Sequence, residues 1–371
     1  MEFVATSMPG LAPLLAEELS HLGMPVTETG KAHVVFSGGS ADALTVCLWS
    51  RLAERVLLPL ATLQLTPDIA PEKLAASQDW RALVGNDAPL HVHVEHGLGV
   101  RGDNRISAKR FIQALGDAFP ISRDPRGSCC VRARLDQNEA HLWLDLAGEP
   151  LHRRGYRLAG GRAPLRETLA AAMLWAAGWA SKDRPDALLD PFCGSGTLLI
   201  EAALMAAGRA AGANRRHYGF QHWRGCRRQL WEAAMAEASN SAERPVPTLS
   251  LKGFDADLKA IQLAQQNAER AGVRAVIHFE RRELGALRQR DFAEQGILLT
   301  NPPWGERLDE QQQAGWLHFA LGRLLARLAP NWQAVLLGAD AEVMDRSGMD
   351  LQSQWRLKNG PFNNFIRLYH S

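Results

Sequence analysis

Cysteine is scarce in this chain and forms no pattern. Five cysteines (Cys47, Cys129, Cys130, Cys193 and Cys226) are spread over 371 residues, an odd number with no CxxC pair. That argues against a disulfide framework and against a structural zinc site, so no metal is expected. Long apolar runs are also missing, since the longest, Leu169 to Ala180, is too short to span a bilayer. The chain opens on Met1-Glu2 without a basic segment followed by an apolar core. A signal peptide is therefore not expected, and the protein reads as cytoplasmic with no membrane partner. A formal net charge of only +2 does not announce a nucleic-acid binder. Internal repeats and low-complexity tracts are absent. What remains is an ordinary globular composition, 46% hydrophobic and 22% charged, at a length suited to two or three domains.

The distribution of charge says more than its sum. Leu151 to Arg166 holds five arginines (Arg153, Arg154, Arg157, Arg162, Arg166) and no acid. Gly208 to Trp231 holds six more (Arg209, Arg215, Arg216, Arg224, Arg227, Arg228), again without an acid. A basic linker is ordinarily just solvated. The second stretch differs in that Tyr218, Phe220, Trp223 and Trp231 are interleaved with its arginines. That mixture suits single-stranded or looped RNA, the favoured reading; the plainer alternative is a solvated helical extension whose Trp residues pack on the core.

Residues 1–65 read as β-α-β-α-β: strands at Glu2–Thr6, Ala32–Phe36 and Val56–Leu65, and helices over Leu11–Leu22 and Ala41–Ala53. That order suits a small α+β unit. Residues 66–152 repeat the style. A helix is expected at Pro71–Ala76, a strand at Leu90–Glu95, and an amphipathic helix at Ser107–Phe119 that carries Lys109 and Arg110. A hairpin of Cys129–Leu135 and Glu139–Leu146 follows. Residues 153–163, with Gly160-Gly161, read as a linker. From 164 to 371 strands and helices alternate, with an insertion at 208–248. The strands fall at Ala187–Asp190, Leu249–Phe254, Val276–Phe279, Gln295–Thr300 and Gln333–Leu337, and the helices at Thr197–Ala207, Leu258–Ala271 and Gly315–Leu328. Trp355–Lys358 and Phe365–Tyr369 form a closing antiparallel pair. Such alternation implies a mostly parallel, doubly wound α/β sheet, whose ligands sit at the carboxyl ends of the strands.

Three motifs fall at those ends. Asp190-Pro191-Phe192-Cys193-Gly194-Ser195-Gly196-Thr197 joins the first strand of this sheet to its helix. It is not a P-loop, because no Lys follows the second glycine, nor a GxGxxG turn, because Leu199 stands where a third small residue belongs. A ligand with a carboxylate and an amine but no phosphate fits better, the carboxylate at the helix N-terminus and the amine at Asp190. Asp255 ends the second strand, where an acid commonly binds ribose hydroxyls; capping the next helix is the plainer role, which Asp257 could fill alone. Glu283, after the third strand, is placed to meet an adenine edge or simply solvent. After the fourth strand comes Asn301-Pro302-Pro303-Trp304. The Asn301 side-chain oxygen and the Pro302 carbonyl make two acceptors, proline keeps the loop rigid without a competing donor, and the ring of Trp304 offers a flat face. The set suits an exocyclic amine on a stacked planar base. Asn-Pro and Pro-Pro are also common turn formers.

Together these motifs resemble class I S-adenosylmethionine-dependent methyltransferases that modify amino groups. The strings Pro164-Leu165-Arg166-Glu167-Thr168-Leu169-Ala170-Ala171-Ala172, Trp304-Gly305-Glu306-Arg307-Leu308 and Lys358-Asn359-Gly360-Pro361 narrow the likeness. So does His152-Arg153-Arg154-Gly155-Tyr156-Arg157. The chain resembles, over essentially its whole length, the bacterial 23S rRNA guanine-N2 methyltransferases of the large-subunit L type. The resemblance implies a Rossmann-like class I methyltransferase sheet (164–371). Before it come a ferredoxin-like domain (1–65) and a THUMP RNA-binding domain (66–152). It implies S-adenosylmethionine as cofactor, held by Asp190, Pro191, Cys193, Gly194, Ser195, Gly196, Thr197, Asp255, Glu283 and Asn301, with Glu167 and Thr168. Asn301, Pro302, Pro303 and Trp304 would be catalytic. Lys109, Arg110, Arg153, Arg154, Arg157, Arg215, Arg216, Arg227 and Arg228 would meet RNA, either 23S rRNA or a ribosomal assembly intermediate. Two departures stand out: Trp304 where the family usually has Tyr, and Glu283 where it has Asp. The chain also stops after one methyltransferase domain, so the 7-methylguanine activity fused in some relatives is not expected.

The implied reaction is in-line methyl transfer to guanine N2. Accepting the amine's hydrogens at Asn301 and Pro302 would aim its lone pair, a matter of positioning and electrostatics. Cys193 then reads as a small buried turn residue. The base must be flipped out or already unpaired. A tRNA substrate, a DNA adenine methyltransferase sharing the Asn-Pro-Pro-aromatic loop, and a non-catalytic RNA-binding assembly factor are the competing readings. The sequence does not fix the oligomeric state.

Overall fold

A computed structural model describes residues 1–64, 73, 75–85, 88–96, 104–117, 119–136, 139–157, 165–289, 292–303, 308–328, 331–359 and 362–370, with the side chains of 96, 104–108, 308–314, 359 and 362 excepted. The front half contains β1 (Glu2–Thr6), α1 (Ala12–His21), β2 (Val26–Thr29), β3 (His33–Ser37), α2 (Ser40–Trp49) and β4 (Arg55–Gln64). It continues through α3 (Trp80–Leu83), β5 (Leu90–His96), α4 (Asn104–Gly116), β6 (Cys129–Leu135) and β7 (Glu139–Asp145). Its strands form one sheet in the order β2-β3-β1-β4-β7-β6-β5, antiparallel except between β5 and β6. β4 sits in the middle. Arg55–Leu57 pairs with β1, and Leu57–Gln64 pairs with β7 across an irregularity between Pro59 and Ala61. A proline has no N–H for the ladder, and a bulge is where a central strand can carry one.

The second half contains α5 (Glu167–Ala176), β8 (Ala187–Asp190), α6 (Thr197–Ala206), α7 (Arg228–Asn240), β9 (Ser250–Asp255), α8 (Leu258–Arg270) and β10 (Ile277–Arg281). It ends with β11 (Gln295–Thr300), α9 (Leu308–Leu325), β12 (Asn331–Gly338), α10 (Ala341–Asp345), β13 (Asp350–Asn359) and β14 (Phe362–His370). The sheet order is β10-β9-β8-β11-β12-β14-β13. The first five strands run parallel, and β14 and β13 close the edge antiparallel. The strand order reverses between β8 and β11, and a crevice at such a switch point is where α/β sheets bind ligands. The alternating pattern read from the sequence therefore corresponds to the observed sheet.

The differences have physical reasons. β2 is a short edge strand with Val26 its only apolar residue, too little to register as a pattern. α5 is buried from Glu167 through Leu174, so it has no polar face to give it helical periodicity. α9 begins at Leu308 rather than Gly315. α3, α7 and α10 add helices that the sequence reading left out. Of the expected helix at Pro71–Ala76, positions 71, 72 and 74 lie outside the described residues, and Lys73 and Ala75 are helical.

A buried ionic network joins the two halves. Glu201 of α6 is fully buried and accepts hydrogen bonds from Arg51 Nη1 (3.1 Å) and the Tyr156 hydroxyl (3.0 Å), with Arg154 Nε 3.9 Å away. Arg51 also donates to the Arg209 carbonyl. At the far edge Lys358 N–H donates to the Pro9 carbonyl (3.1 Å). A side chain on Gly10, whose φ is +99°, would overlap the Arg356 carbonyl. Removing one partner of a buried ion pair leaves the other charge uncompensated, which typically costs about 3–5 kcal/mol. Glu201→Leu should therefore lower the free energy of urea unfolding by about that amount; a loss within experimental error would show that the network does not hold the halves together.

Candidate active site

The three motifs meet at the carboxyl rim of the parallel strands. Asp190, the last residue of β8, is 1% exposed. Its Oδ1 accepts hydrogen bonds from Thr300 Oγ1–H (2.6 Å) and Phe192 N–H (3.1 Å). Burial, opposed by those two bonds and assisted by nearby Asp255, pushes its carboxyl up to about 7. A carboxylate held near neutrality by desolvation is stabilised by an arriving cation, so an amine seated beside Asp190 would complete it.

The turn after Asp190 is held from both sides. Cys193 N–H donates to the Phe254 carbonyl (2.9 Å), Gly194 N–H to Asp255 Oδ2 (3.0 Å), and Asn267 Nδ2–H to the Ser195 carbonyl (3.1 Å). Gly194 and Gly196 have φ of 51° and 78°, the left-handed region that glycine enters without penalty. Their surroundings differ. A side chain on Gly196 would sit 3.0 Å from Ala264 and Phe279, whereas one on Gly194 would meet nothing within 4 Å. Gly196 lets α6 pack closely, and Gly194 faces open space where a ligand can approach the backbone. α6 starts at Thr197 with no acid in its first turn and no side-chain cap, which leaves its N-terminal N–H groups suited to a carboxylate. Cys193 is buried, and burial, then Asp190 and Asp255, raise its thiol well above the ordinary range, so it is held as a neutral thiol.

Asp257 caps α8 through Lys259 N–H (2.9 Å), so Asp255 is not needed there. It accepts instead from Gly194 and Asp257 N–H groups, half-buried at the rim. Glu283 lies just past β10 and is exposed. Glu167 and Thr168 open α5; Thr168 donates to Glu54 (2.5 Å), and Glu167 pairs with Arg157 (3.0 Å). Arg157, expected on RNA, is found here. It donates to Thr197 Oγ1 (3.1 Å) and the Leu165 carbonyl (2.6 Å), beside the glycine-rich turn.

Asn301 leaves the end of β11 with its Oδ1 buried and without a hydrogen-bond partner among the described residues. Such atoms are rare in folded proteins and cost roughly 1–3 kcal/mol. Pro302 is buried and Pro303 exposed; Trp304, with Gly305, Glu306 and Arg307, lies outside the described residues. The structure adds Asn364, which the sequence reading missed. It is fully buried, and neither Oδ1 nor Nδ2 has a partner among the described residues. Thr300 lies opposite Leu336, and Gly338, the last residue of β12, lies opposite Phe365. Asn301 and Asn364 thus leave the same rim two strands apart, about 10 Å at ordinary strand spacing. Strand alternation puts Asn364 on the face of Ile366, which shares a core with Leu299, α5 and α6.

The basic residues divide. Lys109, Arg110, Arg153, Arg216, Arg227 and Arg228 are exposed, with Arg153 paired to Glu149 and Arg228 to Glu232. Arg154 and Arg215 are buried and correct the expectation of RNA contact. Arg154 donates to the carbonyls of Leu151 (2.7 Å) and Arg51 (2.6 Å). Arg215 donates to those of Pro150 (2.7 Å), Ala147 (3.1 Å) and Glu149 (3.2 Å) and lies over the Tyr218 ring. Tyr218, Phe220 and Trp223 are buried as well, so these aromatics pack rather than offer stacking faces, while Trp231 is half-buried. Among the described residues no group of three or more His, Cys, Asp or Glu could hold a metal ion, and no helix is long and apolar enough to cross a membrane.

Five parallel strands, an antiparallel closing pair and a glycine-rich turn at the switch point define the class I methyltransferase fold. A family model described as RMKL-like, methyltransferase domain (UPF0020) matches residues 154–365, and one described as the RlmL ferredoxin-like domain matches residues 2–57. The chain belongs to that methyltransferase family, as the resemblance read from the sequence implied. It is 76% identical over 369 residues to the ribosomal RNA large subunit methyltransferase K/L of Alcanivorax borkumensis, a match that covers 100% of this chain and 52% of the relative. The chain thus spans about half the length of the curated relatives it matches. Among solved structures, SMU.472 complexed with SAH superposes with a TM-score of 0.85 at 24% identity, covering 100% of this chain and 98% of that one. A predicted N6-adenine-specific DNA methylase from Listeria monocytogenes gives 0.83 at 27% identity, covering 99% and 95%.

Asp190 provides a test that needs no substrate. Its folded value of about 7 lies above the ordinary 3.8. The folded state therefore holds the proton more tightly, and this contribution to stability is full below 3.8 and lost as pH rises through 7. Between about pH 4 and pH 8, thermal unfolding of the ligand-free wild type should lose stability relative to Asp190→Asn. Parallel curves would mean that Asp190 titrates normally.

Proposed function

We propose that this chain is an S-adenosylmethionine-dependent RNA methyltransferase that forms N2-methylguanosine, with 23S rRNA as substrate. Asn301 carries the reading: a buried side-chain oxygen without a partner, at the switch-point rim, followed by the carbonyl of Pro302. Two acceptors at one point suit a primary amine. Asn364 supports guanine over adenine. Once the amine is taken up at Asn301, guanine still presents an N1–H donor and an O6 acceptor, which match the unpaired Oδ1 and Nδ2 of Asn364. Adenine would then offer only acceptors and leave Oδ1 alone. The relatives named as ribosomal RNA large subunit methyltransferases support rRNA as the substrate class. The front half, read as a ferredoxin-like domain (1–65) and a THUMP domain (66–152), would grip that RNA.

The cofactor fits the residues present. Asp190 would take its amine, the Gly194–Thr197 turn with the N-terminus of α6 and nearby Arg157 its carboxylate, Asp255 its ribose and Glu283 its adenine edge. Glu167 and Thr168 would hold Arg157 and α5 in place behind it. When bound, S-adenosylmethionine supplies an electrophilic methyl group on a sulfonium. Asn301 Oδ1 and the Pro302 carbonyl accept the two N2 hydrogens, favour a pyramidal nitrogen and aim its lone pair, and Trp304 stacks on the extruded ring. The proton lost from the amine leaves through these acceptors.

The test is methyl transfer to protein-free 23S rRNA, with mapping of the modified nucleotides and bulk tRNA as the parallel substrate. A single N2-methylguanosine in 23S rRNA is expected; a mark confined to tRNA, or to adenine, would overturn the reading. In that assay Asn301→Ala should lower turnover by about 10²–10³-fold with cofactor affinity nearly unchanged. Loss of cofactor affinity would move Asn301 out of the base pocket. Asn364→Ala should cost about 5- to 150-fold in kcat/KM, the worth of a bidentate base contact, and full activity would remove it from the pocket.

A further inference from the structure

The insertion at 208–248 uses its arginines in two directions. Arg209 and Arg215 turn inward, Arg209 donating to the carbonyls of Arg244 (2.9 Å) and Gly272 (3.1 Å) and Arg215 to the front half as above. Arg224, Arg227 and Arg228 turn outward around a cleft of about 480 Å³. That volume lies within the roughly 300–1,000 Å³ typical of small-ligand sites. Among the described residues no aspartate or glutamate lines it. Its aromatic lining is unequal: Trp223 is 5% exposed and packs inward, whereas Trp231 keeps part of its indole accessible.

Both halves of the molecule build the cleft. Gly85 on its wall comes from the front half and donates its N–H to the His222 carbonyl (2.8 Å). Arg224 N–H donates to the Leu83 carbonyl (2.9 Å), and Val84 bridges Trp223. Arg224 Nε is fixed on the Val84 carbonyl (2.6 Å), which anchors the guanidinium while its two terminal nitrogens have no partner among the described residues. Arg227, at the start of α7, has no partner among the described residues. Arg228 is held by Glu232 (2.7 Å) and contributes less. A partly accessible ring and two available guanidinium groups lining one cleft suit an aromatic anion.

We infer that this cleft seats an unpaired stretch of the RNA substrate, with one base stacked on Trp231 and the adjoining phosphates on Arg224 and Arg227. The inference rests on the reading that the substrate is RNA, and it names a second grip on that RNA, separate from the base pocket at Asn301. Only an unstacked base can reach such a ring, so a duplex does not fit. Stacking of this kind tolerates any base, so the cleft would grip a strand without reading its sequence.

The experiment measures fluorescence anisotropy of a labelled oligouridylate of about 12 nucleotides, within the usual site size for single-strand binders, and of an RNA duplex of equal length. Polyglutamate is the competitor. The wild type should favour the single strand. Trp231→Ala should weaken single-strand binding by about 5- to 150-fold, and Trp231→Phe should keep most of it. Arg224→Ala with Arg227→Ala should lower the slope of log affinity against log salt by about 1.4, or 0.7 for each lost phosphate contact. Unchanged melting temperature and S-adenosylmethionine binding show that each variant is folded. A folded Trp231→Ala protein with undiminished affinity, or tighter binding of the duplex, would overturn the inference. So would displacement of the oligouridylate by polyglutamate at equal charge, which would mark the cleft as a seat for an acidic protein. Failure of the methyltransferase reading has a different signature, no S-adenosylmethionine binding by the wild type, and Trp231-dependent strand binding would sustain the cleft even then.

Discussion

The placement of the site depends on one buried carboxylate. Glu201 sits on α6, the helix that starts at the glycine-rich turn, and takes its partners from the front half and from the segment that joins the halves. An exposed ion pair contributes about 0–1 kcal/mol and could not fix one domain on another. A desolvated one is intolerant of misplacement, because each group that drifts away leaves a charge without solvent or partner. Arg51, Tyr156 and Arg154 therefore locate the front half relative to the turn, and the inward-facing Arg209 and Arg215 extend the same tie through the insertion. Whatever the front half holds is thereby kept at a fixed distance from Asp190 and Asn301.

Local features of the site were legible in the sequence. Short apolar runs bounded by turn residues gave the parallel strands, and strand ends carrying Asp190, Asp255 and Asn301 gave the rim, because each of these depends on neighbours only a few residues away. The orientation of the arginines was not legible. Arg215 and Arg216 are adjacent and chemically identical, yet one is buried and the other exposed, and the difference lies in carbonyls at Ala147, Glu149 and Pro150 about 65 residues upstream. Arg157 looked like part of a basic linker until Thr197 and Glu167 placed it against the turn. Asn364 stands beside Asn363 just ahead of the strand expected at Phe365–Tyr369, and only the register of β14 against β12 and β13 shows that it is enclosed. Residues whose role is set by a distant partner carry no local sign of it.

The shared strand β4 has a consequence for where this molecule can be divided. The match to the ferredoxin-like family ends at residue 57, three residues into a ten-residue strand. The unit that is inherited and the unit that folds thus have different borders. Cutting at Leu57 would strip β7 of its β4 ladder and open new edges in the middle of the sheet, the kind that recruit other chains. Cutting after Gln64 would leave the whole of β4 in place with most of one side unpaired. Because β4 joins the two ladders into one sheet, shuffling pieces of the front half among proteins without opening such edges would require moving all seven strands together.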